Sequence, residues 1–166
     1  MYNIRSMAKQ EDLRKSTSRF YNEVNIGYDR NLKLAGDSGL LDHHFGLGYF
    51  DTSKIPGMSQ QEISDAIRSL ETIQARVLID MMGDVTPQHQ VLDAGCGRGG
   101  TAFRLHDLKH CEIDGVTIAG KQAQFASAEA QQRGCQYGVR FWEMDMLALG
   151  FPQSSFDRIF SNETTP

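Results

Sequence analysis

The stretch Val91-Leu92-Asp93-Ala94-Gly95-Cys96-Gly97-Arg98-Gly99-Gly100 decides the fold. Its first four residues are mostly apolar, which is typical of a parallel strand covered on both faces. The glycines that follow lack Cβ atoms, so a ligand can lie against the backbone. Residues from Thr101 onward start a helix, whose free N–H groups and positive dipole end point back at the turn. The stretch therefore predicts a strand, a turn and a helix that bind a nucleotide-like molecule.

Composition limits the classes of protein that the chain can belong to. It has 166 residues with 40% hydrophobic and 23% charged residues, which indicates an ordinary globular core. The net charge of -4 argues against a nucleic-acid partner, which normally needs a basic face. No apolar run approaches the length of a membrane span, so we expect no membrane partner. Cys96, Cys111 and Cys135 have no metal-ligand spacing, which favours reduced thiols in a cytoplasmic protein.

Residues 1–57 are expected to form an N-terminal helix and a lid loop. Residues 6–24 fit one amphipathic helix, either a plain surface helix or a lid that covers a ligand. Residues 28–52 have neither helical nor strand period and are rich in glycine and aromatics, as in ordered functional loops. His43 and His44 in this loop suggest a metal, but adjacent side chains diverge and lack partners at ligand spacing. We expect structural histidines and no metal site formed by the protein.

Residues 58–166 are expected to form a Rossmann-like, doubly wound parallel sheet. A helix over 58–82 begins with the capping box Ser59-Gln60-Gln61-Glu62 and ends at Gly83. Further strands are predicted near 113–118, 139–144 and 156–161, with helices near 101–108 and 121–133. Ligands of such sheets lie beyond the carboxyl ends of the strands, so the functional residues should meet at that edge.

Two spacings of the glycines suggest two different nucleotides. Gly95-x-Gly97-x-x-Gly100 fits the dinucleotide fingerprint, but an NAD site also needs an acid at the tip of the second strand, where Ile118 stands. Asp93-x-Gly95-x-Gly97-x-Gly99 instead resembles the first motif of class I S-adenosylmethionine-dependent methyltransferases. Asp145, just after the third strand, matches the usual adenine contact of those enzymes. The second interpretation therefore fits more of the chain.

Several further segments narrow the resemblance. In chain order they are His43-His44-Phe45-Gly46-Leu47-Gly48, Leu70-Glu71-Thr72-Ile73-Gln74-Ala75, the stretch 93–100, Gly115-Val116-Thr117-Ile118 with Gln122, and Asn162-Glu163-Thr164-Thr165. Together they resemble the geranyl diphosphate C-methyltransferases of terpenoid biosynthesis. That family is related to cyclopropane-fatty-acid synthases and sterol C-methyltransferases.

The resemblance implies a set of cofactor-binding residues and one catalytic residue. The implied S-adenosylmethionine site consists of Asp93, Gly95, Gly97, Gly99, Thr117, Gln122, Asp145, Met146 and Asn162. In it the three glycines and Asn162 face the methionine part, Thr117 and Gln122 the ribose, and Asp145 and Met146 the adenine. Glu163 would be the general base that restores an alkene. The alternative for Glu163 is a strand-end carboxylate that caps a helix or forms a salt bridge.

The implied substrate is a prenyl diphosphate, either geranyl or farnesyl diphosphate. Methylation of an alkene carbon leaves a carbocation, which aromatic faces stabilise. The candidates for this role are Tyr28, Phe45, Tyr49 and Phe50, each of which could instead only pack the loop. Mg²⁺ would be held mainly through the diphosphate of the substrate. The resemblance also implies a homo-oligomer.

The predicted sheet has four strands, whereas a class I methyltransferase sheet has seven. We therefore expect the chain to be an N-terminal portion of a longer enzyme. Two other functions stay open at this point. One is methylation of a sterol, a fatty acyl chain or an aromatic ring, and the other is a non-catalytic fragment that keeps the cofactor pocket.

Overall fold

The computed structural model describes residues 11–23, 48, 50–162 and 164. Residues 11–23 are helical and form α1. The elements that follow are a short 3-10 helix Thr52–Gly57, α2 Gln60–Met81, β1 Gln90–Ala94, α3 Gly100–Lys109, β2 Glu112–Thr117, α4 Gly120–Gln132, β3 Val139–Glu143 and β4 Arg158–Phe160.

The four strands form one parallel sheet in the order β3-β2-β1-β4. The central β1 pairs with β2 over its whole length and with β4 over three residues. The fourth strand is shorter than the 156–161 expected from the sequence. Just before it, the N–H of Asp157 donates to the carbonyl of Gln90, and the Asp157 carboxylate, in place of a backbone carbonyl, accepts from the N–H of Gln90. The Rossmann-like fold class is confirmed.

Helix α2 begins and ends close to where the sequence predicts. Ser59 accepts a hydrogen bond from the N–H of Glu62, and the Glu62 carboxylate accepts one from the N–H of Ser59. This capping box satisfies two N–H groups that a helix start leaves without partners. Gly83 follows the helix with a φ of +72°, a conformation that favours glycine.

The two faces of the sheet are covered differently. Helices α3 and α4 pack on one face, and α2 packs on α3. The buried residues between them include Ile79, Val91, Phe103, Ile113 and Phe141. On the other face, a smaller cluster of Leu92, Ala94 and Val116 is covered by side chains from the segment after β3. The alternation of β1 residues between the two clusters explains why the strand is apolar on both faces.

The segment between α1 and α2 was expected to be a loop as far as residue 52. A short 3-10 helix begins at Thr52, where that loop ends, because Asp51 accepts hydrogen bonds from the N–H and hydroxyl of Ser53. Residues 24–47 lie outside the described part of the chain. Within the part that is described, no helix is both long enough and apolar enough to cross a membrane.

Candidate functional site

The glycine loop, residues 95–99, leaves β1 at the carboxyl edge of the sheet. The N–H groups of Gly95 and Cys96 both donate to the carbonyl of Val116 in β2, at 2.9 and 2.8 Å. The N–H of Gly99 donates to the carbonyl of Cys96, so the loop closes into a tight turn. Gly95, Gly97 and Gly99 have φ values of +91°, +54° and +87°, which L side chains rarely adopt.

The three glycines differ in what surrounds them. A Cβ atom on Gly95 would lie 2.1 Å from Thr164 Cγ2, and one on Gly99 would lie 2.5 Å from Phe141 Cζ. A Cβ atom on Gly97 would meet nothing within 4 Å among the described residues. Gly95 and Gly99 are therefore required by packing inside the protein, whereas Gly97 is open on the side of its missing Cβ as far as the described residues extend.

Arg98 anchors the glycine loop through a buried side chain, a role that the sequence did not reveal. Its side chain is 1% exposed, and the guanidinium carbon lies 3.5 Å from the centre of the Phe125 ring in α4. A desolvated cation–π contact of this kind is worth about 2 kcal/mol. Asp93, which precedes the loop, is also buried at 2% exposure. A polar residue inside a glycine loop suggests an exposed side chain, so only the three-dimensional contact identifies the role of Arg98.

Thr117 and Gln122 are brought together beyond the end of β2. The Thr117 hydroxyl donates to the Gln122 Oε1 at 3.0 Å, and both side chains are buried. The N–H of Ala119 donates to the same hydroxyl at 3.2 Å. The turn from β2 into α4 is therefore held by the two residues that the resemblance assigns to the ribose.

Asp114 is the acid of β2 that lies inside the strand, and its carboxylate is bound by residues of β3. Its carboxylate accepts from Nε and Nη2 of Arg140 at 3.0 and 2.9 Å, and from Trp142 Nε1 at 2.7 Å. The hydrogen bonds that Arg140 donates to Asp114 raise the pKa of its guanidinium. The Asp114 carboxylate is thus hydrogen-bonded to residues of β3. This observation disfavours the dinucleotide interpretation, in which an acid of β2 binds the ribose.

Asp145 and Met146 lie after β3 at the same edge of the sheet. One carboxylate oxygen of Asp145 accepts from the N–H of Leu147 at 2.9 Å, and the other lies 3.3 Å from Arg14 Nε. Met146 packs on the smaller apolar cluster. Both oxygens of Asp145 therefore have a partner in the protein, so an adenine amino group would share one of them.

Helix α1 crosses this edge of the sheet. The Ser18 hydroxyl donates to the carbonyl of Ile118, and the N–H of Lys121 donates to Asn22 Oδ1. Because Ala119 provides no side-chain cap, Asn22 satisfies an N–H at the start of α4 from another helix. A cavity of about 480 Å³ lies between α1 and the residues Ile118, Lys121 and Glu143. These contacts fix α1 at this edge of the sheet, and the lid that covers a ligand stays a prediction.

Asn162 follows β4 and is linked to α2. Gln74 Nε2 donates to Asn162 Oδ1 at 3.1 Å. Two residues further on, the Thr164 hydroxyl donates to the carbonyl of Ala94 at 3.0 Å and lies within hydrogen-bond distance of the Ser161 hydroxyl. The turn after β4 is thereby fastened beside the glycine loop.

Several predicted residues fall outside the described part of the chain. They are Glu163, Tyr28, Phe45, Tyr49, His43 and His44. Phe50 is described and is half-buried. Nearby, a Cβ atom on Gly48 would lie 3.0 Å from Leu70 of α2, so this segment passes close to the helix that carries Gln74. The described residues contain no cluster of three or more His, Cys, Asp or Glu side chains able to hold a metal ion.

Comparison with known proteins supports the resemblance to methyltransferases. Residues 91–165 match the family described as a methyltransferase domain. The geranyl diphosphate 2-C-methyltransferase of Saccharopolyspora erythraea is 40% identical over 138 residues, which are 81% of this chain and 48% of that protein. This chain resembles the geranyl diphosphate C-methyltransferases. The resemblance predicted from the sequence motifs is thus confirmed.

Solved structures give the same result. A geranyl diphosphate methyltransferase in complex with geranyl diphosphate and sinefungin has a TM-score of 0.79 and 30% identity, over 89% of this chain and 54% of its own. A geranyl diphosphate C-methyltransferase from Streptomyces coelicolor A3(2), in complex with Mg²⁺, geranyl diphosphate and S-adenosyl-L-homocysteine, has a TM-score of 0.75 and 28% identity. It is covered over 54% of its length. The chain thus spans about half the length of the relatives that it matches.

Proposed function

We propose that this chain takes part in S-adenosylmethionine-dependent methylation of an alkene carbon of geranyl diphosphate. The observation that carries the proposal is the 40% identity to a geranyl diphosphate 2-C-methyltransferase, which extends over 81% of the chain. The match includes residues far beyond the glycine loop, which alone is typical of a much broader superfamily. Farnesyl diphosphate is a longer substrate with the same reacting group.

The described residues fit the methionine and ribose parts of S-adenosylmethionine. Gly97 faces open space, as a cradle for a ligand requires. The side-chain nitrogen of Asn162 is buried and has no hydrogen-bond acceptor among the described residues, so it can donate to a ligand. Thr117 and Gln122 form a buried polar pair at the carboxyl end of β2, which supports the proposal that they bind the ribose. When bound, the cofactor supplies an electrophilic methyl group on a sulfonium.

In the proposed reaction the protein holds the alkene in line with the methyl group, stabilises the carbocation and then removes a proton. An alkene is a weak nucleophile, so holding it in line with the methyl group provides much of the rate enhancement. The alkene π electrons would form the new carbon–carbon bond to the methyl group while the sulfur–methyl bond breaks and its electron pair stays on sulfur. S-adenosyl-L-homocysteine would be the leaving group, and a tertiary carbocation would be left on the substrate. Aromatic side chains stabilise that charge by about 2 kcal/mol where water is excluded, and we propose Tyr28, Phe45, Tyr49 and Phe50 for this role.

We further propose Glu163 as the base that removes the proton and restores the alkene. Its sequence neighbour Thr164 lies beside the glycine loop, which supports this role. Mg²⁺ would neutralise the diphosphate and be held mainly by the substrate itself. A homo-oligomeric assembly and a cytoplasmic location, both expected from the sequence, also remain proposals.

The direct test is incubation of the protein with methyl-labelled S-adenosylmethionine and either geranyl or farnesyl diphosphate. We expect label in a product one methyl group heavier than geranyl diphosphate. Glu163→Gln should abolish turnover while leaving the Kd for S-adenosyl-L-homocysteine within a few-fold of wild type, because the base does not hold the cofactor. Turnover that survives in the variant would refute the base. Label that enters neither prenyl diphosphate, but enters a sterol, fatty acyl or aromatic acceptor in a parallel incubation, would refute the substrate.

A further inference from the structure

The hydrogen bond between Gln74 and Asn162 joins the middle of α2 to the end of β4. Gln74 Nε2 lies 3.1 Å from Asn162 Oδ1, and both side chains are partly buried. On the same face of α2, Glu71 and Ala75 are buried, so the helix is fixed against the core at this point. The donor is therefore presented to Asn162 from a rigid element rather than from a loop.

This bond determines which way the Asn162 amide faces. A side-chain amide is planar, with an acceptor oxygen and a donor nitrogen on opposite sides. Because Oδ1 accepts from Gln74, Nδ2 is directed away from α2. Nδ2 is buried and has no acceptor within the described part of the chain. A buried donor without an acceptor is costly, which indicates that a ligand atom completes the arrangement.

The surroundings of Asn162 indicate the chemistry of that ligand atom. Thr164 donates to the carbonyl of Ala94, and its side chain fills the space where a Cβ atom of Gly95 would lie. The turn that carries Asn162 is thus packed on the start of the glycine loop. The proposed occupant of this end of the site is the methionine part of the cofactor, whose carboxylate can only accept hydrogen bonds.

We propose that Gln74 is a positioning residue, which orients the Asn162 amide so that its NH₂ group donates to the carboxylate of the cofactor. The inference rests on the proposed function in that it takes S-adenosylmethionine as the ligand. With the opposite orientation, the Asn162 carbonyl would face a carboxylate and repel it. Gln74 itself has no contact with the reacting atoms in this account.

The test compares two ligands in calorimetric titrations. S-adenosyl-L-homocysteine carries the carboxylate, and 5′-methylthioadenosine lacks the whole amino-acid part. The variant Gln74→Glu places an acceptor where the donor was, so the Asn162 amide turns its NH₂ group toward α2. We expect this variant to bind S-adenosyl-L-homocysteine about tenfold more weakly, with the affinity for 5′-methylthioadenosine unchanged. A role confined to general stability would weaken both ligands alike.

Gln60→Glu is the matched control, because it makes the same chemical change in the same helix at an exposed position. It should leave both affinities at the wild-type values. If Gln74→Glu does not fold, Gln74→Met decides the question, since it removes the donor without introducing an acceptor. Equal loss of both ligands, or no loss of either, in the variant that folds would overturn the inference alone. Failure of the wild-type protein to bind either ligand would overturn the proposed function and the inference with it.

Discussion

Among single residues, the three glycines of the loop show what the sequence can and cannot predict. The sequence correctly predicted that this stretch needs residues without Cβ atoms. It could not distinguish Gly97 from Gly95 and Gly99, because the distinction depends on Thr164 and Phe141, which come from distant parts of the chain. Arg98 and Gln74 were missed as site residues for the same reason, since their partners are remote in sequence.

The reactivity of the three cysteines tests the burial of their side chains. Burial raises the pKa of Cys96 well above its usual range, and the charge of Asp93 raises it further. Cys111 is also fully buried, whereas Cys135 is partly exposed. The thiolate is the reactive form of a cysteine. We therefore expect iodoacetamide at pH 8 to modify Cys135 at least about ten times faster than Cys96. Peptide mass mapping measures the three rates.

Denaturant should abolish that difference between the cysteines, which serves as the control. Removing the reactive thiol with Cys135→Ala should leave the folded protein almost unlabelled over the same time. Modification of Cys96 at the rate of Cys135 in the folded protein would contradict the described burial of the glycine loop.

At the scale of elements, periodicity and capping predicted which segments are helices and strands, and the ends agree to within about two residues. Helix α2 is the clearest case, because its cap, apolar stripe and terminal glycine all agree. The third and fourth strands were predicted slightly too long. At the start of β4 the Asp157 carboxylate accepts from the N–H of Gln90 in place of a backbone carbonyl, a detail that the sequence pattern does not show. The contacts of α1 with Ile118 and Lys121 were beyond prediction, because they join residues about 100 positions apart.

The capping box of α2 makes helix stability depend on pH. Hydrogen bonds from the N–H and hydroxyl of Ser59 lower the pKa of Glu62 below its usual 4.5. A lowered pKa in the folded state means that the ionised carboxylate stabilises the fold above that value. This contribution is lost as the pH falls through the lowered pKa, when the carboxylate becomes protonated.

We therefore expect the variant Glu62→Gln to lower the Tm at pH 7 and to lower it less at pH 3. Thermal unfolding followed by circular dichroism at both pH values measures the difference. Ser59→Ala should destabilise the protein at both pH values by about 1 kcal/mol, because it removes the hydroxyl cap itself. A Glu62→Gln effect that grows on acidification would contradict the direction of the pKa shift.

For the whole molecule, the parallel sheet and its helical cover followed from the alternation of strands and helices. The strand order β3-β2-β1-β4 and the gathering of the site at one edge agree with that prediction. The sequence could not reveal that α1 is fastened across this edge by Arg14, Ser18 and Asn22. The same glycine pattern also fitted both a dinucleotide site and an S-adenosylmethionine site. The ion pair of Asp114 with Arg140 and the match to known methyltransferases favour one of them.

The central claim is that the cofactor lies against the open side of Gly97. Gly97 and Gly134 both have positive φ values, of +54° and +71°, and neither would place a Cβ atom within 4 Å of another described residue. An alanine at either position therefore costs a similar amount of folding free energy, about 1 kcal/mol. They differ in location, because Gly134 follows α4 at the opposite edge of the sheet from the glycine loop.

Calorimetric titration with S-adenosyl-L-homocysteine of the wild-type protein, Gly97→Ala and Gly134→Ala tests this claim most directly. We predict that wild type and Gly134→Ala bind with the same Kd, and that Gly97→Ala binds about tenfold more weakly or not at all, at a Tm matching that of Gly134→Ala. A wild-type protein that does not bind, or a Gly97→Ala variant that binds as tightly as wild type, would contradict the account.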